Sequence, residues 1–64
     1  MKKTQAARME KKMEAIRKAL DAAFALMNED EGADNGAEEE IRSMLHNMNS
    51  AVHAVVDTLP AAAR

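Results

Sequence analysis

The chain has no cysteine, no tryptophan and no tyrosine; phenylalanine and proline occur once each and glycine twice. Each shortage excludes something. Without cysteine there is no disulfide and no thiolate zinc site, and nothing marks a redox compartment. With Phe24 as the single aromatic residue, there is no stacking platform for unpaired bases and no set of aromatic anchors for a helix lying on a membrane. So little glycine and proline leaves long stretches free of helix breakers. Long hydrophobic runs are also missing. The longest covers residues 22–27, far short of the roughly 20 residues that cross a bilayer. Met1, Lys2 and Lys3 have the charge of a signal-peptide start, but residues 4–10 cannot form the apolar stretch that has to come next. The expectation is a cytoplasmic protein with no membrane association.

What is present is apolar periodicity. Ala6, Met9, Met13, Ile16, Leu20, Ala23 and Met27 recur at alternating intervals of three and four, the heptad spacing that keeps one stripe facing a partner helix. Ile41, Leu45, Met48, Val52, Val55 and Leu59 repeat the pattern. Between them lies an acidic segment that holds both glycines. The reading is a single all-α domain, an antiparallel helical hairpin. Helix 1 is expected over about 5–29, an acidic turn over 30–35, helix 2 over about 36–59 and a loose tail over 60–64. Thr4 is the expected N-cap of helix 1. Asn35 and Glu38 fit a capping box for helix 2, which Pro60 should stop.

Each helix carries more apolar surface than one seam requires. Ala19, Phe24 and Leu26 widen helix 1, and Met44, Ala51 and Val56 widen helix 2. A chain of 64 residues with no disulfide or metal ordinarily needs a partner subunit. The wide faces therefore predict a homodimer, two hairpins forming a four-helix bundle. Charge supports this. The net charge of −2 conceals a basic half (Lys2, Lys3, Arg8, Lys11, Lys12, Arg17, Lys18) and an acidic one (Asp21, Glu29, Asp30, Glu31, Asp34, Glu38, Glu39, Glu40). In a hairpin these become a positive terminal pole and a negative loop pole, and loops at opposite ends bring unlike poles together.

Candidate chemistry is sparse. The segment from Asp30 to Gly36 has the composition of a calcium loop. With Gly36 at the sixth position, however, Ala33 and Arg42 occupy ligand positions, and with Gly32 there the first ligand is Met27. His46 and His53, seven apart, stand roughly 10 Å from each other along a helix, too far to share a metal. Ser50, His53 and Asp57 supply the residue types of a hydrolytic triad on an outer surface that has no evident oxyanion hole. No catalytic residue, metal site or cofactor is expected. The expected contacts to a second copy or a partner protein are Met9, Met13, Phe24, Leu26, Met44 and Val56, with methionine supplying an adaptable surface. The expected phosphate contacts of an alternative nucleic-acid-binding reading are Arg8, Lys11, Lys12, Arg17 and Lys18.

In length, two heptad helices and one short turn, the chain resembles the Rop-type plasmid copy-number regulators over nearly its whole extent. The resemblance implies a helical hairpin that dimerises into a four-helix bundle and binds paired RNA loops. It is architectural, and no RNA-contact residue is matched by motif. The chain differs from the pattern in its acidic, glycine-containing loop and in having no aromatic residue on the outer, basic face of helix 1. The functional expectation is a small non-catalytic regulatory or adaptor protein, acting as inhibitor, bridge or chaperone on a partner protein.

Overall fold

The computed structural model describes residues 1–29 and 36–64. Two helices account for nearly all of them: α1, Lys3–Asn28, and α2, Gly36–Ala62. They pack against each other in antiparallel order. Asn28 lies opposite Arg42, Phe24 opposite His46, and Ala6 beside Leu59. The result measures 49 × 16 × 11 Å, a layer one helix thick.

Helix α1 begins at Lys3, before the expected start. Lys2 occupies the N-cap position without a side-chain cap, its carbonyl accepting from the Ala6 amide at 2.9 Å, and Thr4 lies inside the helix. The reason is propensity. Residues 5–9 are Gln, Ala, Ala, Arg and Met, strong helix formers that extend the ladder upstream of the hydroxyl expected to cap it. The other end is as expected: α1 stops at Asn28, and Glu29 donates its amide to the Leu26 carbonyl at 3.3 Å. Glu38 and Glu39 stand in the first turn of α2, where the helix dipole favours acids. Asn35, the expected cap, lies outside the described residues, as does the expected turn over 30–35.

Pro60 does not stop α2, which continues to Ala62. Proline removes one amide donor, the one aimed at the Val56 carbonyl, but it sits within the last turn. The alanines after it resume the ladder, with the Ala63 amide donating to the Leu59 carbonyl at 2.9 Å. The expected loose tail is thus helical over its first residues, and Ala62 and Ala63 are half-buried.

The core is a single line of contact. Ala6 and Leu20 from α1 and Val52 and Leu59 from α2 are buried, while Met9, Met13, Ala23, Met27 and Leu45 are half-buried. These are seam positions expected from the spacing. The other expected seam residues of α2 are not in it. Ile41, Met48 and Val55 are exposed, and Arg42, Asn49 and Val56 take their places, half-buried against α1. Helix α2 is therefore rolled about its axis relative to the expected seam. Two contacts across the pair accompany the roll. The Phe24 ring packs on the His46 ring with centroids 4.7 Å apart and planes tilted at 46°, and Arg42 Nη1 donates to Asn28 Oδ1 at 3.0 Å. Both lie on one flank of the seam and close the hairpin on that side.

Candidate interaction surface

A layer one helix thick has two faces, and the roll of α2 makes them chemically different. One flank of each helix carries Glu10, Glu14 and Arg17 from α1 and His46, Asn49 and His53 from α2, with the Phe24–His46 pair towards the loop end. This face is polar.

The other face is apolar. Counting around the helices from the buried line, Ile16, Ala19, Ala23 and Leu26 fall on that flank of α1. Ile41, Met44, Met48, Ala51 and Val55 fall on the matching flank of α2, at intervals of three and four. The large side chains among them are from 38% (Val55) to 67% (Leu26) exposed. Every large exposed apolar residue among those described, apart from Met1, belongs to this one face. Scattered surface hydrophobes are ordinary; a row confined to one side marks a contact surface. At its terminal end the face is hollow. A depression of about 360 Å³ opens between the helices, lined chiefly by Met9, Val55, Thr58, Leu59 and Ala62.

The expected contact residues divide between the faces. Leu26 and Met44 project from the apolar face, and Met9 lines its hollow. Met13 and Val56 line a small groove on the polar face with Val52 and His53. Phe24 is half-buried against His46 within the hairpin. Ile41, Met48, Val55 and Ile16 belong to the apolar surface although the spacing assigned them to the hairpin's own seam. The available signal was the surplus of apolar positions on α2, but it did not indicate which flank would be left over.

The five basic residues are not gathered on one side. Arg17 lines the polar groove with Glu10, Glu14 and His53. By helical position Arg8 and Lys12 border the apolar face, while Lys11 and Lys18 point away from α2. Ser50, His53 and Asp57 are each exposed along α2. Among the described residues no three His, Asp or Glu side chains converge on a point that would hold a metal ion, and the acidic segment from Asp30 to Asn35 lies outside them. No described helix is long and apolar enough to cross a membrane.

Comparison with protein-family models, with curated proteins and with solved structures finds no match. The surface itself is what bears on function.

Proposed function

We propose that this protein is a small non-catalytic interaction module. It pairs through its apolar face into a homodimeric four-helix bundle and binds and modulates a partner protein in a regulatory or adaptor role. The observation that carries the reading is the row from Ile41 to Val55 together with Ile16 and Leu26, apolar and exposed on one side of a one-helix-thick layer. A second hairpin laid on that row completes the two-layer architecture that buries helical faces. The same pairing leaves the polar faces outermost, so each dimer offers two equivalent surfaces bearing Arg17, His46 and His53. These are suited to charged and hydrogen-bonded recognition of a protein partner.

Sedimentation equilibrium over a wide concentration range tests the pairing. A dimer persisting at low concentration is expected, and a monomer at all concentrations overturns it. For the partner, joint replacement Arg17→Glu and His53→Glu is expected to abolish co-purification from cells of its source while the dimer mass is kept. A partner retained at full yield by that variant would remove the polar face from the mechanism.

A further inference from the structure

The apolar face has a direction along the hairpin. Its loop end is convex and bulky: Leu26 and Met44, 67% and 52% exposed, stand level with each other across the two helices, and Ile41 lies one turn beyond Met44. Its terminal end is the hollow bordered by Met9, Val55, Thr58 and Ala62. Charge runs the same way. Arg8 and Lys12 flank the face towards the hollow; Glu40 flanks it towards the loop. A bulky acidic end and a hollow basic end on a single surface are complementary to each other, so the surface fits a reversed copy of itself.

We infer that two copies pair about a two-fold axis lying in the interface and perpendicular to the helices. Each α2 then runs antiparallel along the α2 of the other copy, with Met44 over Thr58 at the hollow and Ile41 level with Ala61 at its outer end. This rests on the four-helix reading above and adds its register. The geometry is self-consistent. On α2 the midpoint between Met44 and Thr58 is Ala51, close to the middle of the helix, so all but its first turn overlaps the other copy. Small Ala51 and Ala54 on α2, and Ala19 and Ala23 on α1, lie near that midpoint, where the layers must approach most closely. The α1 helices likewise pair with each other, Leu26 passing over the turn that holds Met9. The alternative axis, parallel to the helices, places both loops together. It stacks the bulky ends on each other and brings the Glu40 side chains of both copies to the same end.

The cysteine-free chain makes the test direct. Single variants Leu26→Cys, Met44→Cys and Thr58→Cys each change an exposed side chain, and far-UV circular dichroism confirms that each stays helical. Mixing two single variants ensures that any hetero-crosslink by a short bis-maleimide joins different copies. The inferred register predicts that Met44→Cys crosslinks to Thr58→Cys and that Leu26→Cys does not crosslink to Met44→Cys. With both loops at one end the result reverses, because Met44 and Thr58 are then about 21 Å apart along the bundle at 1.5 Å per residue. That reversal overturns the register and leaves the bundle standing. A dimer by sedimentation with neither crosslink overturns the use of this face. A monomer overturns both the register and the four-helix reading beneath it.

Discussion

Replacing Met48 by aspartate separates the bundle from the hairpin. Met48 is half-exposed in the hairpin, so pairing has about half of its side chain left to cover. Full burial of a methionine contributes about 1.5–3 kcal/mol. The remaining half is then worth about 0.7–1.5 kcal/mol, and the two-fold counts it twice, about 1.5–3 kcal/mol per dimer. At about 1.4 kcal/mol per tenfold, this apolar term alone weakens dimerisation roughly 10- to 150-fold. A carboxylate placed in the same contact without a partner adds a desolvation cost of the same sign. Sedimentation equilibrium with interference detection measures the effect, since the chain has no tryptophan or tyrosine. The control is Ser50→Asp, the same new charge two residues along but on the exposed outer side of α2, with an expected change within about 0.5 kcal/mol. If Met48→Asp dimerises as tightly as the parent, the apolar face is not the interface.

Other substitutions probe the hairpin itself. Leu20, 4% exposed, is the deepest residue, and Leu20→Ala should cost about 2–5 kcal/mol of stability in thermal or urea unfolding; a loss under about 1 kcal/mol would remove it from the core. Phe24→Ala removes the ring contact with His46, worth about 0.5–1.5 kcal/mol beyond burial. Its effect should largely disappear in a His46→Ala background, and full additivity in that cycle would mean that the rings are not coupled. Joint reversal Lys11→Glu, Lys12→Glu and Lys18→Glu should leave helicity intact. On the protein-partner reading it changes no specific RNA affinity; a tight, salt-dependent RNA-hairpin complex that the reversal abolishes would favour the nucleic-acid reading instead.

The two helices and the residues at the centre of their contact were legible because local spacing determines them. Ala6, Leu20, Val52 and Leu59 are where the heptads place them. The roll of α2 was not legible. Ile41, Met48 and Val55 form a more apolar line than Arg42, Asn49 and Val56, so periodicity ranks the first set as the seam. The orientation shows only in contacts between the helices, Phe24 against His46 and Arg42 against Asn28, and these pairs lie more than a dozen residues apart in sequence. The same roll left Met44 on the open face with Ile41 and Met48 and took Val56 to the opposite side, while Leu26 and Phe24 fall on opposite flanks of α1 by their own positions. Pro60 misled for a different reason. A proline marks a helix end only when the residues after it cannot resume the ladder, and here three alanines come next.

The roll also connects fold to function. Had α2 presented Ile41, Met48 and Val55 to α1, the hairpin would have covered its best apolar line and exposed a mixed surface of Arg42, Asn49 and Val56. With the opposite choice, two polar residues close the hairpin through directional contacts, which need little buried area. The more hydrophobic line is left exposed. Directional contacts fix a geometry, whereas apolar area drives association without strong directional demands. In this chain the first task falls to the intramolecular contact and the second to the surface. The row of exposed apolar side chains, Met44 and Met48 among them, thus has one origin: a helix turned so that its strongest apolar face points outward.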